Sequence, residues 1–248
     1  MDSAKLLLNC DMGESFGAWT MGADDKVMPW VDMANIACGF HAADPNVMGH
    51  TIDLAIRYDV KIGAHPGYPD LQGFGRRSMA IPAEEMVNIL IYQIGALKSL
   101  CESKNSQIEY VKPHGALYND MLSDLALFEA VVDAVSCFSV PLMMLAQSNT
   151  QPYLDIADKY DVPMLFEAFA DRAYLANGLL APRSEQGAVL KSEEAIISQV
   201  RQIVHYGKVN TLDGYVIPIE ADTICVHGDN DAAIELIKSI RKAVEENV

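Results

Sequence analysis

Basic residues are scarce in this chain. Its 248 residues carry 18 Lys and Arg against 34 Asp and Glu, a formal charge of −16. A phosphate-backbone partner needs a cationic surface to displace counterions, so nucleic-acid binding is excluded as a function class. Equally missing is any C-x-x-C pair among the five cysteines, Cys10, Cys38, Cys101, Cys137 and Cys225. Their number is odd and three fall in or at the end of apolar runs. Reduced, buried thiols fit that pattern better than a disulfide framework or a zinc knuckle. No stretch reaches the ~18 apolar residues of a membrane-spanning helix. The apolar start at residues 6–8 is too short for a leader's apolar region, so no membrane partner and a cytoplasmic location are expected. There is no G-x-x-x-x-G-K-[ST] loop, so a nucleotide site here is not of the P-loop type. Internal repeats, low-complexity tracts and linker-like composition shifts are also absent, and one domain over residues 1–248 is the simplest account.

What is present is an ordinary globular composition, 50% hydrophobic and 21% charged, enough for one sizeable core. Short apolar runs at 5–10, 33–38, 61–64, 109–112, 141–145, 164–167 and 223–226 read as strands. Helical patterns lie between them. Asp44-Pro45 opens one to Tyr58, and Pro82-Ala83-Glu84-Glu85 opens another to about Cys101, its acidic first turn suiting the helix dipole. Ser123, Asn149, Ser192 and Asp229 are candidate caps for four more. Strands alternating with helices imply parallel pairing through right-handed crossovers. Seven such units suggest an α/β fold closed as a seven-stranded (β/α) TIM-like barrel, with a doubly wound open sheet as the competitor. Residues 171–190 lack periodicity and read as a long loop over the site.

Six of the seven strand-like runs end in ionisable groups flanked by Gly or Pro. Active sites of parallel α/β folds form at the carboxyl ends of the strands. In one parallel sheet, Asp11, Glu14, His41, His65, Lys112, His114, Glu167 and His227 would point to a common mouth. Bland readings compete, because Asp and His after a strand also cap helices and form turns. Asp44 and Asp229 read best as caps, and His50 and His205 as helix-surface residues. Met143-Met144 reads as core filling. Arg76-Arg77, in a Gly-Phe-Gly context, reads equally as a solvated pair or an anion-binding loop.

The strings L-N-C-D-M-G-E-S-F-G, A-N-I-A-C-G-F-H-A-A-D-P, G-A-H-P-G-Y-P-D, G-F-G-R-R, V-K-P-H-G-A-L-Y-N, E-x-F-A-D-R-A-Y and I-x-V-H-G-D run in order from residue 6 to Asp229. Together they resemble the LamB/YcsF family. The chain departs from that pattern at Met33, Ala43, Gly67 and Ala181, where Ser, Gly, Ser and Val are usual, and no ionisable group is lost. The resemblance implies a seven-stranded barrel related to polysaccharide-deacetylase-like hydrolases. It also implies a 5-oxoprolinase complex with partner subunits B and C, converting the small molecule 5-oxo-L-proline to L-glutamate with ATP, accompanied by magnesium, as co-substrate. An amide is hard to hydrolyse, and phosphorylating its oxygen creates an electrophile that water can attack, given a positioned base. On that reading Asp11 or Glu14 activates water, and Lys112, Arg76 and Arg77 hold phosphoryl or carboxylate oxygens. His65, His114 and His227 move protons or donate to the oxyanion, Glu167 orients one of them, His41 contributes to binding, and Asp171 and Arg172 form a latch. No metal centre is assigned. The enzymatic rival is a metal-dependent amidase or deacetylase with zinc on Asp11, His41, His65 and His227. The non-enzymatic rival is a carboxylate-binding subunit, which the density of ionisable groups disfavours.

Overall fold

A computed structural model describes residues 6–228 and 231–246. The chain runs β1 (Leu7–Met12), α1 (Asp24–Val27), a 3-10 turn (Met28–Trp30), β2 (Met33–Ala37), α2 (Pro45–Tyr58), β3 (Lys61–His65), α3 (Ala83–Ser103) and β4 (Tyr110–Val111). It continues through α4 (Gly115–Met121), α5 (Leu125–Ser136), β5 (Leu142–Leu145), α6 (Gln151–Lys159), β6 (Met164–Phe169) and α7 (Glu193–Tyr206). A short hairpin, β7 (Lys208–Asn210) and β8 (Val216–Pro218), precedes β9 (Thr223–Val226) and α8 (Asp231–Glu245). Strands β1 to β6 and β9 form a closed, wholly parallel barrel in chain order. β9 pairs with both β6 and β1, through Glu167↔Thr223 and Leu7↔Thr223, so the open-sheet alternative is excluded.

Side-chain parity builds the layers. In each strand alternate residues face outward and meet the helices: Leu8, Cys10, Met12, Ile36, Ile62, Val111, Met144 and Ile224 all lie in the main core. α3 buries Met86, Leu90, Ile94, Leu97 and Cys101, one face at helical spacing. The inward residues of the other parity stack in tiers. Met33, Tyr110 and Met143, with Leu7 and Leu165, close the amino-terminal end as an apolar plug. Above it sit Asn9, Asn35, Glu167 and Thr223, all fully buried. Gly63 faces this tier, and a side chain there would overlap the Tyr110 ring, so the missing Cβ admits the tyrosine to the barrel centre. The Tyr110 hydroxyl then donates to Asn35 Oδ1 at 2.6 Å.

Asp44 caps α2 as expected, its Oδ1 accepting from the Asn46 and Val47 amides, and Ser192 caps α7 through the Ala195 amide. Two expected caps move by one residue. Asp124, not Ser123, accepts from the Ala126 and Leu127 amides to start α5, and Thr150, not Asn149, precedes α6 without a side-chain cap bond. The expected cap Asp229 lies outside the described residues. The β7–β8 hairpin was not expected. Its loop carries Asp213-Gly214, a turn signal that was available but sits between strands of only three residues. The five cysteines are free thiols, and all but Cys137 are buried. Among the described residues no helix is long and apolar enough to cross a membrane.

Candidate active site

Every barrel strand except β5 delivers ionisable or aromatic groups to the carboxyl mouth. Lys112, one residue past β4, is 3% exposed and lies at the centre. Its Nζ is 3.0 Å from both Asp11 Oδ1 and Glu167 Oε2, 3.2 Å from Asn9 Oδ1 and 3.3 Å from Cys225 Sγ, and it lies over the Phe169 ring. Asn9 and Asn35 tie this centre together. Asn35 Nδ2 donates to both Asn9 Oδ1 and Asp11 Oδ1 at 2.8 Å, and Asn9 Nδ2 donates to Glu167 Oε2 at 3.2 Å. Burying a charge is tolerable only when it is paired and hydrogen-bonded, and this network supplies both. Burial opposes the Lys112 charge, but Asp11, Cys225 and Glu167 outweigh it and hold the ammonium well above its usual pKa. Burial likewise opposes the Asp11 charge, yet His65 and Lys112 keep its carboxyl well below the usual range. Asp11 remains 21% exposed, an ionised carboxylate that solvent and a ligand can reach.

A second group gathers beside it. His65 ends β3, His114 precedes α4, His41 follows β2 and Glu14 follows β1. The His41 and His114 rings stack at 3.7 Å with 2° between planes, and His65 meets both edge-on. His65 Nδ1 lies 2.6 Å from the Lys112 carbonyl and Nε2 lies 3.4 Å from Asp11 Oδ2. Burial, then His114, drives the His41 imidazole well below its ordinary pKa, and burial, then His65, takes His114 to about 3. Both rings are therefore neutral at pH 7. The G-F-G turn packs onto them, with Gly75 at φ +62°, where a Cβ would approach His41 Cβ to 2.7 Å and His114 Cδ2 to 2.8 Å.

A third group is a pair. His227 Nδ1 and Asp171 Oδ2 are 3.1 Å apart at the seam between β6 and β9, both partly open to solvent. Burial works against the His227 charge, but Asp171 raises its pKa above the ordinary value and is itself lowered in turn.

Of the twelve candidate residues, Asp11, Glu14, His41, His65, Lys112, His114, Glu167 and His227 converge at the mouth, and Asp171 joins through His227. The remaining three are engaged nearby. Arg77 is paired with Asp70, which that contact and the Gly73 amide hold at about 2. Arg76 lies 5.0 Å from the Phe74 ring centroid. Arg172 is buried and donates to the Ala181 and Ala188 carbonyls, so it ties together the loop that follows β6. Gln199 of α7 secures the same loop by donating to the Phe169, Ala170 and Arg172 carbonyls. Sequence reading missed Asn9, Asn35, Tyr110, Tyr118, Phe169 and Cys225. For all but Tyr118, which lies on α4, the signal was the inward parity shared with Asp11 and Glu167, which can be read once strands are fixed. Tyr118 stands beside Glu167, and burial followed by that carboxylate raises its phenol well above the ordinary value.

A closed parallel barrel with a buried lysine–carboxylate centre and a histidine cluster at its carboxyl mouth defines the class of an α/β-barrel protein with a polar active-site-like mouth. The LamB/YcsF family model matches residues 6–248, and the chain belongs to that family. It is 70% identical over 246 residues to the 5-oxoprolinase A subunit of Vibrio cholerae serotype O1, covering 99% of this chain and 100% of that protein. A 5-oxoprolinase A subunit of Pseudomonas aeruginosa, numbered 3, is 52% identical over 243 residues, 97% of each chain. Among solved structures, the lactam utilization protein of Thermus thermophilus superposes with a TM-score of 0.90 at 40% identity, covering 98% of this chain and 96% of that one.

Proposed function

We propose that this chain is the lactam-handling subunit of an ATP-dependent 5-oxoprolinase, opening 5-oxo-L-proline to L-glutamate in a cytoplasmic complex with partner subunits B and C. The observation that carries this reading is Asp11: ionised between Lys112 and His65, 21% exposed, and set above a buried polar tier. The relatives' names supply the substrate class. Free buried thiols suit a reducing compartment.

The chemistry asks for few protein groups. Transfer of the γ-phosphoryl group of ATP, accompanied by magnesium, to the amide oxygen releases ADP and leaves an imidate-like carbon. Water adds there as its proton passes to Asp11. The ring C–N bond then breaks with a proton delivered to nitrogen, and a second water hydrolyses the resulting acyl phosphate to glutamate and phosphate. His227 suits the acid role, because Asp171, against the cost of burial, favours its protonated form and the ring is partly exposed. Lys112 holds Asp11 and Glu167 in place and offsets charge that develops near them. Arg76, over Phe74 beside His114, is the residue for a substrate carboxylate or phosphoryl oxygen.

The test is glutamate and ADP release from 5-oxoproline and ATP, with this chain alone and with the partner subunits. Product in the full mixture only, and its loss in Asp11→Asn with an unchanged far-ultraviolet spectrum, is expected. Near-normal turnover in Asp11→Asn removes that residue from the mechanism. A second reading, a metal-dependent lactam hydrolase, is favoured by the Glu14 and histidine cluster. It predicts ring opening that does not depend on ATP.

A further inference from the structure

We infer that Glu14, His41, His65 and His114 form a binding site for one divalent transition-metal ion, with Zn²⁺ the best match to the ligand set. The inference stands whether or not the lactam is the substrate. Four consecutive barrel strands each contribute one residue, and one ligand atom from each lies within 4.8 Å of all the others.

Hydrogen bonding around the rings sets where their lone pairs point. His65 Nδ1 lies 2.6 Å from the Lys112 carbonyl oxygen, and His114 Nε2 lies 2.8 Å from the Phe74 carbonyl oxygen. A carbonyl only accepts, so each of those nitrogens carries a hydrogen, and coordination would require the other nitrogen of each ring to be free of one. The lone pairs then belong to His65 Nε2 and His114 Nδ1, and these two atoms face each other at 3.0 Å. Two acceptors at that separation repel unless something positive lies between or beside them. His41 repeats the problem. It is fully buried, and neither of its ring nitrogens has a hydrogen-bond partner. Its Nε2 is 3.4 Å from Glu14 Oε1, which is in turn 3.5 Å from His114 Nδ1. A buried imidazole without a partner is a costly arrangement, and a bound ion is one of the explanations such a group calls for.

The spacings fit a metal. With Zn–N and Zn–O bonds of ~2.0–2.1 Å, the edges of a tetrahedral site are about 3.3–3.4 Å. The contacts at 3.0, 3.4 and 3.5 Å bracket that value, and coordination would turn the His41 and His114 rings, stacked in parallel at 3.7 Å, so that both lone pairs meet one ion. Backbone carbonyls on the far ring nitrogens are the usual outer support of metal-bound histidines, fixing tautomer and orientation. Gly75, pressed against His41 and His114, lets the turn come close enough for the preceding residue to supply one of those carbonyls. Three imidazoles and one carboxylate suit Zn²⁺ and its first-row neighbours, not Mg²⁺ or Ca²⁺. This set shares only His41 and His65 with the Asp11, His41, His65 and His227 of the rival amidase reading. His227 is paired with Asp171, and Asp11 borders the cluster with its Oδ2 3.4 Å from His65 Nε2.

The experiment uses the full chain, stripped with a chelator and then titrated with Zn²⁺ alone by calorimetry, with bound metal counted after dialysis. One ion per chain with a dissociation constant below about 1 μM is expected, together with the visible bands of a nitrogen-rich tetrahedral site when Co²⁺ replaces Zn²⁺. Glu14→Gln and His41→Gln should each weaken binding at least tenfold, a conservative figure for loss of a ligand. His50→Gln and His205→Gln, on helix surfaces, should leave it unchanged. Circular dichroism identifies any variant that fails to fold, and the wild-type stoichiometry decides without it. No retained ion in the wild type overturns the site. Binding that is unchanged in folded Glu14→Gln and His41→Gln overturns it as well. So does a ¹⁵N spectrum in which a proton is shared between His65 and His114 and zinc does not displace it.

Discussion

At the scale of single residues, Lys112 decides most. It neutralises two carboxylates that are otherwise deep in the barrel, Asp11 and Glu167. Removing one member of a buried ion network leaves charge without compensation and typically costs about 3–5 kcal/mol. Lys112→Met should lower the unfolding free energy from urea titration by an amount in that range and abolish turnover. Adding Glu167→Gln should restore part of the stability and none of the activity. If the single variant is as stable as wild type, the lysine is not holding the network. The His227–Asp171 pair has its own pH signature. His227 has a raised folded pKa, so its contribution is complete below the ordinary value near 6.5 and fades as pH rises through the folded value. Asp171 has a lowered folded pKa, so its contribution is complete above the ordinary carboxylate value and fades as pH falls through the folded one. The pair therefore stabilises most near pH 5–6, by about 0.5–1 kcal/mol at its partly exposed seam. Asp171→Asn should reduce the stability difference between pH 6 and pH 9 by about that amount in paired denaturant titrations, and an unchanged difference would argue against the pair.

At the scale of elements, what could be read in the chain followed how local the cause was. Strand cores and the polar residues at their ends were legible because β-periodicity and Gly or Pro punctuation are local signals. Barrel closure, expected from the count of seven units and from the family resemblance, could not be decided by periodicity alone, since β9 meeting both β1 and β6 is a long-range fact. The hidden tier was not legible, because Asn9 and Asn35 look like ordinary strand polars until parity turns them inward against Glu167 and Asp11. The roles of Arg77 and Arg172 escaped for a related reason, since their partners Asp70, Ala181 and Ala188 are set by loop geometry. The starts of α2, α3, α5, α6 and α7 were legible to within one residue. That single residue has a testable consequence at α5. Asp124→Ala should cost about 1 kcal/mol, the usual loss for a cap that accepts amide hydrogens, whereas Ser123→Ala should be near neutral. A reversed order in thermal unfolding would return the cap to Ser123. Gly63 offers a harder test of the barrel interior. Gly63→Ala drives a methyl group into the Tyr110 ring inside a closed sheet and should destabilise by about 1–3 kcal/mol or more. Gly63→Ala combined with Tyr110→Ala should recover part of that loss, because the second change removes the ring.

At the scale of the whole molecule the acidic excess and the site's cations act over different distances. The formal charge is −16, and Lys112, one of the 18 basic residues, is buried at the barrel centre, where solvent ions do not reach. Surface pairs such as Lys104 with Asp53 at 2.7 Å and Arg201 with Glu246 at 3.3 Å are short, exposed contacts. Each is worth at most about 1 kcal/mol, and salt weakens it only partly at such close range. Repulsion among the surplus carboxylates extends across the surface and is screened as the Debye length falls from about 30 Å at 0.01 M to about 8 Å at 0.15 M. Long-range repulsion should therefore be relieved before the close pairs are lost, and added sodium chloride over that interval should raise Tm. Each kcal/mol relieved corresponds to about 2–4 °C for a chain of this size. The buried network is insensitive to salt, so the same rise should appear in Lys112→Met from a lower starting point. A fall in Tm with salt in both proteins would mean that close surface pairs outweigh the net charge. A fall in wild type alone would mean that the central network is open to solvent ions, against its burial.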